Sequence, residues 1–301
     1  MTQRIAIANR KGGVGKSTVT LAIATAYAAW QAKRVLVVDL DTQCNVSQAL
    51  IGGQRWADLR RADQLISDYF FSILDADADR AKDRQHYVTH AVGEVALSAG
   101  KLSLLPGSLE FEDVQNEYIL KQFRGAKDPN AAAEMVRGPI RSSLRRLDRA
   151  YDVVLYDCPP GLSMASLAAI ELADRVIVPF KPDFISEFGV DRISMLIEGK
   201  RVYEDVAAIA FADRRYRCVA NGVVADGADA RAGRDRFVID TIAEDHPVCT
   251  THLPLNNDLR DAIDWMGQSL TMEEKFGTGL PFVRALFDEL EAAPGAGQIA
   301  A

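Results

Sequence analysis

Short apolar runs recur along the chain and are separated by longer stretches with helical spacing. RIAIAN (4–9), RVLVVDLD (34–41), LSLLPG (102–107), DVVLYDCPP (152–160), RVIVPF (175–180), RCVANGVV (217–224) and VCTTHLPL (248–255) are dense in Val, Ile and Leu. They show little polar alternation, as strands covered on both faces do. STVTLAIATAYAAWQAK follows the first run, and IRSSLRRLDRA leads into the fourth; both read as helices. The alternation predicts an α/β chain with a doubly wound, mostly parallel, seven- or eight-stranded sheet and helices on both faces.

Two regions fit the pattern less well. Residues 53–101 are charged and irregular, with DADADRAKDRQ near their middle, and are expected to carry helices and a solvated connection. Residues 121–138, with RGAKDPNAAAEMVRG, read as a loop. Residues 291–301 have the composition of a flexible tail. Nothing resembles a repeat or an interdomain linker, so residues 1–290 are expected to form a single domain with these two variable insertions.

Composition narrows the class. Of 301 residues, 48% are hydrophobic and 26% charged, ordinary globular values, and the net charge is −7. An acidic balance argues against a chain coated in positive charge but leaves room for a local basic patch. Cys44, Cys158, Cys218 and Cys249 are scattered singly without a CxxC pair, which argues against a zinc or disulfide framework. No apolar run approaches the roughly 20 residues of a membrane helix, and the first residues do not read as a signal peptide. The expectation is a soluble cytoplasmic protein.

The first strand runs into RKGGVGKST and then a helix, the context of a phosphate-binding loop. Gly12, Gly13 and Gly15, with Val14 between them, let the backbone turn and approach phosphates. The following helix start directs N–H groups at an anion. Lys16 is then expected to reach the β and γ phosphates, Ser17 to ligate Mg²⁺, and Thr18 to sit near the α phosphate. Arg10 occupies the place of the usual first glycine, and a second lysine, Lys11, stands at the loop entrance. Further on, VVDLDTQCN puts Asp39 and Asp41 on one face at the carboxyl end of a strand. An apolar run ending in Asp157 has the form of a Walker B strand, whose carboxylate binds Mg²⁺.

KGGVGKST resembles the deviant Walker A motif of the ParA/MinD family of ATPases, and VVDLDTQCN and VVLYDCPPGL resemble the family's switch I and Walker B segments. The resemblance runs from residue 4 to about 290 and is weakest over 53–101 and 121–138. It implies ATP and Mg²⁺ as cofactors and a homodimer in the ATP state. Each subunit then inserts Lys11 toward its partner's phosphates, as an arginine finger does. It implies that Asp41 positions or deprotonates the attacking water and that Asp39 lies near the Mg²⁺ shell. It makes Asn221 a reader of the adenine edge, although Asn221-Gly222 is also a turn signal. Leu253, Pro254 and Asn256 fall in the loop that closes over the base. The family's ParA branch binds DNA without sequence preference and responds to a ParB-like, cargo-bound activator, which implies association with the nucleoid when ATP is bound. Arg214, Arg215 and Arg217, with Arg231 and Arg234, are candidates for DNA contact, diluted by intervening aspartates. Arg137, Arg141, Arg145 and Arg149 form a helical stripe that reads as a solvated face. The MinD branch attaches to membranes through a basic C-terminal helix. Here PFVRALFDELEAAPG is acidic, so a membrane- or scaffold-bound regulator is the alternative and no membrane partner is expected.

Overall fold

The computed structural model describes residues 1–74, 84–92, 102–123, 128–224, 230–264 and 270–292. Its strands are β1 (Gln3–Ile7), β2 (Val35–Asp39), β3 (Thr89–His90), β4 (Leu102–Leu105), β5 (Val153–Asp157), β6 (Arg175–Phe180), β7 (Tyr216–Val223) and β8 (Leu253–Pro254). Among the described residues they form one sheet, ordered β3-β4-β2-β5-β1-β6-β7-β8, in which only β3 runs antiparallel. The helices are α1 (Lys16–Trp30), α2 (Asn45–Arg61), α3 (Ile66–Leu74), α4 (Phe111–Phe123), α5 (Pro129–Leu147) and α6 (Met164–Leu172). They continue as α7 (Ser186–Ile197), α8 (Tyr203–Ala207), α9 (Ala230–Asp245), α10 (Asn257–Asp261), α11 (Met272–Phe276) and α12 (Leu280–Ala292).

Alternate side chains of each central strand enter two separate cores. Ala6, Leu36, Val38, Val154 and Tyr156 pack with helices α3 to α7 and α9. Ile5, Ile7, Val35, Val37, Val153 and Leu155 pack with α1, α2, α11 and α12. Both faces are apolar because both are covered, which is why these strands lack polar alternation. The predicted α/β doubly wound sheet is thus present. Its central strand β1 lies between β5 and β6, so the loop after β1 opens at the point where chain direction across the sheet diverges.

Two sequence expectations change. Residues 121–138 are not simply a loop: α5 starts at Pro129, and Asp128 caps it by accepting from the Ala131 N–H at 2.9 Å. Residues 124–127 lie outside the described set. Pro129 suits a first helical position, where no N–H partner is needed, and Asp at the preceding position supplies the missing acceptor. Gly138-Pro139, which suggests a break, is carried inside the helix. Within 53–101, α2 and α3 and the short β3 are ordered elements, joining the expected helices; the acidic run 75–83 lies outside the described residues, as does the tail from 293. The arginine stripe of α5 is as expected: Ile140, Leu144 and Leu147 are buried, Arg145 and Arg149 exposed, and Arg137 and Arg141 pair with Glu134 and Glu171.

Candidate nucleotide site

The loop between β1 and α1 is shaped by its glycines. Gly13 and Gly15 have φ of 69° and 92°, conformations that side-chain-bearing residues avoid. Gly15 also passes Asn221 so closely that a Cβ there would sit 1.9 Å from the amide Nδ2. Gly15 caps α1 without a side-chain acceptor, leaving the first N–H groups of the helix to an incoming anion. Lys16 is buried, and its Nζ donates to the Lys11 carbonyl at 3.1 Å. Burial pushes its pKa down, while the charges of Asp157 and Asp41 oppose the shift. Gly12 and Gly13 are open to solvent. The loop therefore offers donors, a cation and space at one place.

Three carboxylates end the neighbouring strands. Asp39 and Asp157 are register partners on β2 and β5. Asp157 is fully buried and accepts from Ser17 Oγ at 2.8 Å and Thr20 Oγ1 at 2.7 Å. Burial and then the nearby Asp39 charge raise its pKa. A buried carboxylate with hydroxyl partners, a carboxylate neighbour and the Lys16 charge nearby is an arrangement suited to a cation. This donor set, an Asp and a Ser hydroxyl 2.8 Å apart beside a phosphate loop, fits Mg²⁺. Asp39, beside Asp157, is also bound within the chain. Its Oδ2 accepts from the Ser47 N–H at 2.9 Å and the Ser47 hydroxyl at 2.6 Å, and its Oδ1 from the Asp41 N–H. A Cβ on Gly107 would lie 3.0 Å from this carboxylate. Asp39 thus fastens the start of α2 and the turn after β4, which the second-strand pattern alone does not reveal. Asp41, the next residue on the same side, is buried, and its carboxylate accepts from the Gln43 N–H through Oδ1 at 2.9 Å.

Lys11 is placed by two residues that the sequence does not signal. The Asn9 side chain donates to the Pro179 carbonyl at 2.8 Å and accepts from the Lys11 N–H at 3.0 Å, tying the loop to the end of β6. The Lys11 ammonium forms an ion pair with Asp183, in the turn between β6 and α7. Thr18 is half-buried at the start of α1 and Val14 is buried under the loop.

The adenine candidates separate. Asn221 lies beside the loop and its amide donates to the Val14 carbonyl at 2.8 Å. Leu253 is buried in the core with α12, and Pro254 is half-buried beside it. Asn256 caps α10 by accepting from the Leu259 N–H at 3.1 Å and donates to Thr278 Oγ1. The proposed DNA arginines also divide. Arg214 is buried, donating to the carbonyls of Ile209, Ala207 and Asp245 and stacking on Phe211, so it is not a surface cation. Arg215 donates to the Ile170 and Ile197 carbonyls, and Arg217 to those of Arg214 and Tyr216. Arg214 and Arg215 thus close the carboxyl ends of packed helices. Arg231 and Arg234 are exposed on α9, with Arg234 paired to Asp235.

A glycine-lined anion loop, a buried lysine and a hydroxyl-bound aspartate at the central strand of a parallel sheet define a P-loop nucleotide-binding protein. Residues 2–206 match the AAA_31 family model, described as an AAA domain. The chain belongs to this family and is a ParA/MinD-type P-loop ATPase by relationship. It is 30% identical over 203 residues to an uncharacterized protein of Pseudomonas putida, covering 67% of this chain and 64% of that one. It is 31% identical over 200 residues to the chromosome-partitioning ATPase Soj of Thermus thermophilus, covering 66% and 63%. The matched part thus spans under two thirds of these relatives. In fold it matches a plasmid partition protein of Borrelia burgdorferi bound to AMPPNP, with a TM-score of 0.64, 16% identity and coverage of 96% and 100%.

Proposed function

We propose that this chain is an ATPase that pairs when it binds ATP and Mg²⁺, attaches to DNA without sequence preference, and positions a plasmid, chromosome or other cargo. The observation that carries this reading is the convergence of Lys16, Ser17, Asp157 and Asp41 on one loop that has a second lysine at its entrance.

Lys16 and the α1 N-terminus bind the β and γ phosphates. Ser17 and Asp157 would hold Mg²⁺, which would supply positive charge to offset that of the phosphates. Asp41 is buried and its Oδ2 has no recorded acceptor duty, so it can orient water and take its proton. Lys11 lies at the solvent side of the loop and serves the partner subunit's phosphates, which couples turnover to pairing. Release of phosphate lets Pro159-Pro160-Gly161, after Asp157, relax. A ParB-like, cargo-bound protein stimulates hydrolysis, and the ATP form resides on the nucleoid in the cytoplasm. The exposed Arg231 and Arg234 of α9 are the side chains of the original set that support DNA contact. Against membrane attachment, α12 buries Val283, Leu286, Phe287 and Leu290. Nor is any described helix long and apolar enough to cross a membrane.

The test is ATP hydrolysis and DNA binding by the wild type, Lys11→Ala and Asp41→Ala. The wild type is expected to bind DNA tightly with ATP, less so with ADP, and with strong salt dependence. Lys11→Ala is expected to lose pairing and turnover, and Asp41→Ala to pair but not turn over. A wild type that ignores DNA in every nucleotide state refutes the partition reading, and normal hydrolysis by Asp41→Ala refutes the role of that carboxylate.

A further inference from the structure

The unassigned partner of Lys11 is the most informative contact outside the nucleotide site. Asp183 is prearranged to hold a cation: its Oδ1 accepts from Ser186 Oγ at 3.0 Å and from the Ile185 N–H at 3.2 Å, while Oδ2 faces Lys11. The single Ser186 hydroxyl proton is shared between Asp183 Oδ1 and the Lys181 carbonyl, 2.6 Å away, so the turn is braced from both sides. Burial alone would push the Asp183 carboxyl up, but the Lys11 and Ser186 bonds and the Lys11 charge outweigh it and hold it low. The same turn and the first turn of α7 expose Phe184, Ile185 and Phe188, at 65%, 71% and 68%, next to the residue that pairs with Lys11.

We propose that Asp183 is a positioning residue that holds Lys11 within its own subunit and releases it when a second copy of this chain covers the 183–188 turn. The inference rests on the proposed role of Lys11 and adds the restraint acting on it. A lysine bound in its own subunit cannot reach the partner's phosphates, so each pairing event must break two such contacts. An exposed ion pair contributes a factor of about two to five in an equilibrium constant. Both subunits release one, so the dimer dissociation constant rises by about four- to twenty-five-fold relative to a chain without the restraint. The contact thus keeps the nucleotide-loaded single subunit in reserve, and the apolar turn supplies the surface whose burial offsets the broken pairs.

The test compares Asp183→Asn and Asp183→Ser with Asp183→Glu. Asn keeps an Oδ1 acceptor for Ser186 and Ile185 but loses the charge, and Ser removes the carboxylate should Asn fold poorly. One readout is the rate of Lys11 acetylation in unliganded protein, followed by mass spectrometry. The other is the dimer dissociation constant with AMPPNP and Mg²⁺ by sedimentation. Asp183→Asn and Asp183→Ser are expected to label several-fold faster and to pair about four- to twenty-five-fold more tightly, with Asp183→Glu near the wild type. Adding Lys11→Ala should erase the gain in pairing. Unchanged labelling overturns the contact. Faster labelling with unchanged pairing overturns the restraint, as does a gain that persists without Lys11. Should Lys11→Ala alone pair and hydrolyse normally, the proposed role of Lys11 falls, while the labelling arm still reads the Asp183 contact.

Discussion

Single positions in this site are constrained in two independent ways, and Gly15 shows both. Its φ of 92° disfavours any side chain, and a Cβ would meet Asn221 Nδ2 at 1.9 Å. Gly15→Ala is expected to weaken nucleotide binding by more than about tenfold, since left-handed backbone alone costs about 1–2 kcal/mol. Titration with a fluorescent ATP analogue checks this. Asn221→Ala in the same chain should restore part of the affinity, because it relieves the clash but not the torsion. No recovery would assign the whole loss to the backbone. Asp157 carries the opposite kind of constraint, since the unliganded fold is the worse for its charge. Its pKa is raised by burial and by Asp39, so the protonated form favours the fold at low pH. That contribution is lost as pH rises from the ordinary carboxylate range through the raised folded value. Asp157→Asn removes the charge and keeps an acceptor for one of the two hydroxyls, its amide N–H groups turning to the oxygen of the other. It is expected to raise the unliganded melting temperature by about 2–4 °C and to abolish stabilisation by Mg²⁺ with ATP. Thermal melts with and without ligand decide it, and a lower unliganded melting temperature refutes the charge argument.

At the level of elements, legibility follows the range of the signal. The strands and the loop before α1 are written in contiguous residues, so their type and order could be read directly from apolar runs and glycine spacing. The start of α5 was equally local, in the cap Asp128 followed by Pro129, although residues 121–138 read as a loop. Asp128→Ala should lower stability by about 1 kcal/mol, measured by urea denaturation. Contacts that depend on the sheet bringing distant segments together were not legible. Thr20 reaches Asp157 across 137 residues and Lys11 reaches Asp183 across 172, so neither spacing carries a motif. The same limit hid the fate of the arginines before β7, since charge alone cannot tell a DNA contact from a guanidinium that caps helix ends. It also hid Lys275 in α11, which is 4% exposed and has no recorded carboxylate partner among the described residues. Burial pushes its pKa down to about 8. A buried ammonium without a carboxylate partner among the described residues is costly, so Lys275→Met, which keeps the apolar stem volume, is expected to stabilise by about 1–3 kcal/mol. A destabilised variant would show that the ammonium has a partner which matters.

Across the whole molecule, the two ends of the sheet have different work. The carboxyl ends of β1, β2 and β5 hold the nucleotide site, and the amino end of β7 holds a buried polar clamp. There Arg214 donates to Tyr216 Oη at 3.2 Å, Tyr216 bonds His246 Nδ1 at 2.8 Å, and His246 Nε2 meets Asp191 at 2.9 Å. The chain joins α7, β7 and the residue just after α9. Asp191 can only accept, so the His246 proton lies on Nε2, and in the neutral imidazole favoured by burial Nδ1 accepts from the Tyr216 hydroxyl. A second proton on Nδ1 would oppose the Tyr216 hydroxyl and the nearby guanidinium. Burial lowers the His246 pKa, Arg214 adds to the shift, and the Asp191 bond and charge oppose it. The unfolded chain therefore takes up a proton at a higher pH than the folded chain does. Stability from this group is complete above the ordinary histidine value, about 6.5, and is lost as pH falls below it, by up to about 1.4 kcal/mol per unit. The Asp157 contribution has the opposite sign, so the measurement belongs in the Asp157→Asn background. There, urea midpoints should fall between pH 7 and 5.5, and His246→Asn should remove most of that slope while lowering stability at pH 7. A slope unchanged by His246→Asn would mean that the acid sensitivity lies elsewhere and that the clamp stays closed when protonated.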